Sequence, residues 1–207
     1  DSNFIKNSKF IAQYVSRETL DELNKYSLSI LKKNKEINLI STSTEKLIKS
    51  RHIEDSAQII DFIDKNESIC TDLGSGPGLP GIVLAIIMKH KKISMKFNLY
   101  EKSFRKVEFL KEVIKKLKLN ASVHQKNIFE EKNLITDMIV ARAFKPLPTI
   151  LDLATTNFKN FNSIILFLGR SGRDHLSECI KKWKFEYKEK KSLTEIDSKI
   201  IKIYNFK

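Results

Sequence analysis

The stretch Cys70-Thr71-Asp72-Leu73-Gly74-Ser75-Gly76-Pro77-Gly78-Leu79-Pro80-Gly81-Ile82 constrains the fold more than any other part of the chain. It holds four of the six glycines and two of the four prolines. Ser68-Ile69-Cys70 before it reads as a short buried strand, and the apolar run from Ile82 to Met88 after it reads as a buried helix. A glycine-rich turn between strand and helix lets the backbone approach a ligand closely, with the positive helix end behind it. The expectation is a site for a nucleotide-type ligand.

Two ligands fit the glycine spacing. Gly76-x-Gly78-x-x-Gly81 matches the dinucleotide fingerprint, and Glu101 follows roughly 20 residues on, as that fingerprint expects. Against it, Asp72 ends the strand where a pyrophosphate would meet a carboxylate, and Pro77 and Pro80 remove amide donors. S-adenosylmethionine carries an ammonium and a sulfonium and no phosphate, so it suits Asp72 better. A glycine-rich turn without a ligand is the third reading.

The chain has 207 residues, 41% of them hydrophobic, enough for one good-sized domain with a small extension. Lys and Arg outnumber Asp and Glu by 38 to 25, a net charge of +13. A surplus of that size points to a polyanionic partner, nucleic acid first, although a Lys-, Ile- and Asn-rich composition raises Lys counts by itself. The two cysteines, Cys70 and Cys179, form no C-x-x-C pair or His/Cys cluster, so no metal site is expected. There is no signal peptide pattern, and the longest apolar run is too short to span a bilayer. The expectation is a cytoplasmic protein that acts as a monomer and uses no membrane. The chain does not begin with Met, which is consistent with a start inside a longer chain.

Residues 1–66 read as a helical N-terminal extension. Ser16 is a candidate N-cap, with Leu20, Leu23, Ser27, Ile30 and Leu31 at helical spacing and an end near Glu36. A second helix is expected from Ser43 or Thr44 to about Asp64. On it His52, Asp55 and Ser56 share one face, which by pattern alone reads as a solvated polar stripe. From residue 67 to 207 strands and helices alternate. Strands are expected at 68–73, 95–101, 121–125, 137–142, 162–168, 184–189 and 199–205, and helices at 79–90, 103–118, 147–158 and 171–182. This is an α/β fold, a mostly parallel seven-stranded Rossmann-like sheet with helices on both faces and one of the last two strands antiparallel.

Ligands of such sheets bind at the carboxyl ends of the strands. Three places there stand out: the 72–81 turn, Glu101 as a ribose acceptor, and Arg142 between two alanines. His124 to Ile128, after the third strand, is placed to lie along an adenine.

Together these residues resemble one family, the bacterial ribosomal RNA small subunit methyltransferase G, also called glucose-inhibited division protein B. The similarity runs from about Leu28 to Gly169. It rests on Asn38-Leu39, Arg51-His52-x-x-Asp55-Ser56, Asp72-x-Gly74-x-Gly76-x-Gly78-x-Pro80-Gly81-Ile82, Arg105-Lys106-x-x-Phe109-Leu110 and Arg142-Ala143. The resemblance implies a class I methyltransferase that transfers a methyl group from S-adenosylmethionine to N7 of a guanine in 16S ribosomal RNA, free or in the small ribosomal subunit. It implies that Gly74 and Leu79 contact the cofactor, that Asn127 and Ile128 flank its adenine, and that Arg142 completes the pocket. It places Arg51, His52, Asp55 and Ser56 beside the site, with Arg51 and His52 on the substrate side. The chain departs from the family at Lys33, where a Trp is usual, at Ile40, where a Thr is usual, and at Leu168-Gly169-Arg170, where Lys-Gly is usual. Arg170 is the candidate to replace that Lys.

Guanine N7 carries a free lone pair at neutral pH, so the reaction needs orientation rather than a general base. Arg142 is the candidate to donate to guanine O6, leaving N7 open, and Phe144 is a candidate base stack. The competing readings are a methyltransferase for another substrate, a nicotinamide-dependent oxidoreductase, and an RNA-binding module with a vestigial nucleotide site.

Overall fold

In a computed structural model of the protein, residues 11, 15–169, 171–194 and 197–207 are described. The elements are α1 (Arg17–Asn34), β1 (Ile69–Leu73), α2 (Gly81–His90), β2 (Lys96–Glu101), α3 (Phe104–Leu117), β3 (Ala121–Gln125), β4 (Leu134–Ile135), β5 (Met138–Ala141), α4 (Leu147–Asn157), β6 (Phe158–Asn160), β7 (Ser163–Leu168), α5 (Gly172–Lys182), β8 (Glu186–Lys191) and β9 (Lys199–Tyr204). The seven-stranded sheet runs β3-β2-β1-β5-β7-β9-β8. All its neighbours are parallel except β9, which is antiparallel to both β7 and β8.

Alternation along the inner strands sorts the core into two layers, because successive side chains point to opposite faces. Cys70, Phe97, Leu99, Val140, Ile165 and Ile200 pack against α1, α2, α3 and the residues between α1 and β1. Leu73, Tyr100, Ile139, Ile164, Leu166 and Ile201 pack against α4 and α5 on the other face. With both faces covered, the central strands read as near-continuous apolar runs.

The N-terminal part shares the first layer: Leu23, Tyr26 and Ile30 of α1 are wholly buried with Val83 and Ile86 of α2. Ser16 caps α1, its Oγ accepting from Thr19 N at 3.3 Å. Asn34 then shapes the exit. Its Oδ1 accepts from Leu39 N (2.7 Å) and Ile40 N (3.0 Å), and its Nδ2 donates to Glu45 Oε1.

The single helix expected from residue 43 or 44 to 64 is not formed. The segment is a 3₁₀ stretch (Thr42–Leu47), a π-helical stretch (Ile48–Glu54), one α turn (Asp55–Ala57) and a second 3₁₀ stretch (Gln58–Phe62). Apolar spacing over so few turns does not separate helices of three, 3.6 and more residues per turn. The buried Lys202 of β9 pins its end, donating to Phe62 O at 2.7 Å and pairing with Asp64. The short pair β4–β6 was also not expected, since strands of two and three residues carry no periodicity.

Candidate active site

The glycine turn leaves β1 at the carboxyl edge of the sheet and feeds α2. Gly74 has φ +65, and a Cβ there would lie 2.2 Å from Cδ2 of the Phe144 ring, so only glycine fits. Gly81 is needed for a different reason: a Cβ would lie 2.6 Å from both Asp72 Oδ2 and Leu99, closing the gap between helix and sheet.

Five of the six N–H groups between Gly74 and Gly81 are spent on the protein itself. Ser75 N donates to Tyr100 O, Gly76 N to Glu101 Oε2, Gly78 N and Leu79 N to Ser75 O, and Gly81 N to Asp72 Oδ2, all between 2.7 and 3.0 Å. Pro77 and Pro80 have no N–H to give. A pyrophosphate would have to strip these bonds, so the turn is built for a ligand that meets its shape and carbonyls rather than its amide donors. From outside, Tyr26 of α1 donates its buried hydroxyl to Pro77 O at 2.8 Å.

Two adjoining cavities open on this turn. The first, about 440 Å³, is lined by Gly74, Tyr100, Glu101, Asn127, Ile128, Phe129 and Phe144, with Lys102, Lys106, Lys126 and Lys145 at its rim. The second, about 300 Å³, is lined by Leu39, Ile40, His52, Gly74, Ser75, Gly76, Pro77, Leu79, Arg142 and Ala143, and shares Gly74, Glu101 and Lys106 with the first. Glu101 is the hinge between them. Its Oε2 accepts from Gly76 N and its Oε1 from Ser103 N at 2.8 Å, and each oxygen has a second lone pair for a hydroxyl. Asn127 Oδ1 accepts from Phe129 N, turning the chain so that Ile128 and Phe129 wall the first cavity. Phe129 and Phe144 stack at 5.9 Å. His124 does not reach the cavity; its ring stacks on Tyr100 at 4.7 Å.

Arg142, at the end of β5, is gripped by the N-terminal part. Its Nε is 3.0 Å from Asp55 Oδ2, its Nη1 is 2.8 Å from His52 Nδ1, and its Nη2 donates to the carbonyl of Arg51. The π-helical stretch carries two of these partners, His52 and the Arg51 carbonyl. His52 Nε2 meets Thr44 Oγ1 at 3.0 Å. Burial, then the Arg142 and Arg51 charges, push the His52 pKa down to about 4, so the ring is neutral at pH 7 and can accept from Arg142.

Of the residues singled out in the sequence, Gly74, Glu101, Asn127 and Ile128 line the first cavity, and Gly74, Gly76, Leu79, Glu101, His52 and Arg142 the second. Asp72, Gly78 and Arg51 fall outside both, as His124 does. Asp72 is wholly buried beneath the turn, where its Oδ2 holds the start of α2 and its Oδ1 has no hydrogen-bond partner. Burial raises its pKa to about 7. A carboxylate at a strand end can as well serve the turn as face the ligand, and here it serves the turn. Gly78 lies behind the turn against Ile82 and Leu110, and Arg51 contributes its carbonyl. Arg170 lies outside the described residues. Lys106, shared by both cavities, and Tyr26 carry no site signal in the sequence; nothing in a helical stripe marks one lysine or one core tyrosine as facing a turn.

Among the described residues no group of three His, Cys, Asp or Glu is placed to hold a metal ion, and no helix is long and apolar enough to cross a membrane.

The family model described as rRNA small subunit methyltransferase G matches residues 19–204. A protein of Pelagibacter ubique named Ribosomal RNA small subunit methyltransferase G is 47% identical over 197 residues, covering 94% of this chain and 92% of its own. One of the same name from Bartonella tribocorum is 38% identical, covering 93% and 91%. Among solved structures, M. capricolum TrmK in complex with S-adenosyl-homocysteine matches with TM-score 0.56 at 13% identity, covering 72% of this chain and 66% of its own. M. jannaschii TYW2 in complex with AdoMet matches with TM-score 0.55 at 19% identity, covering 75% of each. At such identities these two establish the methyltransferase type of fold.

Proposed function

The chain belongs to the rRNA small subunit methyltransferase G family, and we propose that it methylates N7 of a guanine in 16S ribosomal RNA, with S-adenosylmethionine as the donor. One observation carries the reading: a carboxylate-centred cavity and an arginine-walled cavity meet at Gly74, with five of the six amides of the turn already occupied. That is a receptacle for a phosphate-free adenosine joined to an amino-acid tail.

The residues fit that cofactor. Glu101 accepts from ribose hydroxyls with its remaining lone pairs. Ile128 and Phe129 offer apolar wall to a flat base, and Asn127 shapes that wall. Gly74, Gly76 and Leu79 border the second cavity, which would take the tail. Asp72 keeps the turn in shape rather than touching the ligand, and Gly78 gives α2 its close approach. S-adenosylmethionine, when bound, supplies a methyl group on a sulfonium.

The protein's part is orientation. N7 of guanine attacks without losing a proton, so no side chain need act as a base. Arg142 lies in the wall of the second cavity, where a guanidinium can donate to O6 and leave N7 free. His52 stays neutral and holds Arg142; Arg51 supports it through its carbonyl. Lys102, Lys106, Lys126 and Lys145 rim the first cavity and suit a phosphate backbone. The division is into an N-terminal extension, 1–66, that grips the site from outside, and a catalytic part, 67–207. The enzyme works as a monomer in the cytoplasm on free or assembled small-subunit RNA, without a metal.

The test is transfer of labelled methyl from S-adenosylmethionine to small-subunit RNA, with digestion to show the methylated base. Arg142→Ala is expected to bind the cofactor and lose at least about a hundredfold in transfer, as for a missing charged donor. Product that is not 7-methylguanine refutes the base assignment, and near-normal transfer by Arg142→Ala removes Arg142 from the mechanism.

A further inference from the structure

Asp55, the partner of Arg142, is only 3% exposed, and its two oxygens have different company. Oδ2 takes Arg142 Nε at 3.0 Å. Oδ1 takes Thr194 Oγ1 at 2.8 Å, Ser192 Oγ at 3.1 Å and Gln58 Nε2 at 3.2 Å. Ser192 and Thr194 come from the turn after β8, more than 130 residues from Asp55 in sequence. That turn is itself tied down: Leu193 N donates to Gln58 Oε1 at 2.8 Å, Ser192 N to Ser198 O at 2.9 Å, and Lys190 Nζ to Gln58 O at 2.8 Å.

The turn is also inside out. Leu193 is 62% exposed, while the hydroxyls on either side of it point inward to one buried carboxylate. Turn residues ordinarily give their polar groups to solvent or to their own backbone. A buried carboxylate with one oxygen unsupported would be free to rotate about its χ2, a broad torsion, and would carry Arg142 with it. Three donors on Oδ1 restrict that freedom, and the two hydroxyls at 2.8 and 3.1 Å, closer than Gln58 Nε2, both come from this turn.

We propose that Ser192 and Thr194 are positioning residues for methyl transfer: through Asp55 they hold Arg142 in the orientation that meets the target base. The turn after β8 thereby belongs to the active site, although it lines neither cavity. This rests on the role given to Arg142 above, and the experiment separates the two.

The test uses the full chain with Ser192→Ala and Thr194→Val together, and with Thr194→Ser as the conservative control. Three readouts are taken: kcat and KM for small-subunit RNA at saturating S-adenosylmethionine, cofactor Kd by calorimetry, and the titration of His52 by NMR. The double variant is expected to lose about tenfold in kcat, the scale of one hydrogen bond to a charged group, with cofactor Kd within about twofold. His52 is expected to titrate higher than in the wild type, because a guanidinium that turns with Asp55 holds its charge less closely against the ring. Thr194→Ser is expected to behave as wild type. An unmoved His52 titration with unchanged kcat overturns the proposal. So does a parallel loss of kcat, cofactor binding and melting temperature that Thr194→Ser shares, since that is a turn needed only for folding. The His52 titration reports where Arg142 sits whatever Arg142 does, whereas turnover of Arg142→Ala reports only what it does.

Discussion

Gly74→Ala probes the junction of the two cavities, and its cost can be built from two separable parts. The first is local. Gly74 sits at φ +65, a left-handed conformation that costs a residue with a Cβ about 1–2 kcal/mol. The second is a collision. The new Cβ would lie 2.2 Å from Cδ2 and 2.7 Å from Cε2 of Phe144, so the ring must retreat by well over an ångström to reach ordinary contact. Phe144 is packed beside Phe129 and against the second core layer, and overpacking of this kind costs about 1–3 kcal/mol. Together the substitution should destabilise the fold by about 2–5 kcal/mol. Because the displaced ring lines the first cavity, cofactor affinity should fall as well. A double-mutant cycle divides the two parts. In a Phe144→Ala background the collision is gone and only the backbone part, about 1–2 kcal/mol, remains. The assay is urea unfolding of the four proteins followed by circular dichroism, with calorimetry for S-adenosylmethionine. Equal costs for Gly74→Ala in both backgrounds would refute the claim that the Phe144 ring is what excludes a side chain here.

Tyr26→Phe leaves the carbonyl of Pro77 buried without its donor and should cost about 1–3 kcal/mol in unfolding free energy, together with weaker cofactor binding; full affinity would show that α1 does not hold the turn. Asp72 and His52 make opposite contributions to the pH dependence of stability. Asp72 has a folded pKa raised from 3.8 to about 7, so the native state holds the extra proton between those values and stability falls as pH rises through them, by up to about 1.4 kcal/mol per unit. His52 has a folded pKa lowered from 6.5 to about 4, so its contribution is present above 6.5 and is lost as pH falls toward 4, damped by its partial exposure. The stability of Asp72→Asn relative to wild type should therefore grow from pH 4 to 7 and then level off; a difference independent of pH would mean that Asp72 is not titrating in that window. RNA binding should weaken steeply with salt, and Lys102→Ala with Lys145→Ala should flatten the slope of log affinity against log salt by about 2; an unchanged slope would place the phosphate contacts elsewhere.

The parts of this molecule that a short-range pattern can encode were legible in the sequence. The strand, turn and helix around Gly74 follow from glycine and proline placement. The alternation of strands and helices after residue 67 follows from apolar runs too short for anything but buried strands and from one-sided stripes such as that of α3. That one of the last two strands reverses followed from the lack of room for a crossover helix between them, and the structure shows that it is β9. Ser16 as the cap of α1 is equally local. Even the cofactor was favoured for a partly sound reason: Pro77 and Pro80 do deprive a phosphate of donors. Only the tertiary structure showed that five of the six remaining amides of the turn are also occupied, by Tyr100, Glu101, Asp72 and Ser75 of the turn itself, and that Asp72 lies buried beneath the turn, outside both cavities.

What pairs with a buried charge is likewise invisible to pattern. His52, Asp55 and Ser56 share a face that looks like any solvated stripe. It becomes part of a site only because β5 ends opposite it and delivers Arg142 from about ninety residues away, and because the turn after β8 brings Ser192 and Thr194 to the same carboxylate. The broken helical segment from 42 to 62 is equally illegible, since apolar spacing over so few turns does not distinguish its 3₁₀, π and α stretches. Local sequence determined the elements and the glycine turn, since these depend on φ, hydrogen-bond capping and apolar periodicity within a few residues. The tertiary structure alone decided which polar groups meet, since a buried charge is stable only where distant segments of the chain converge to pair it.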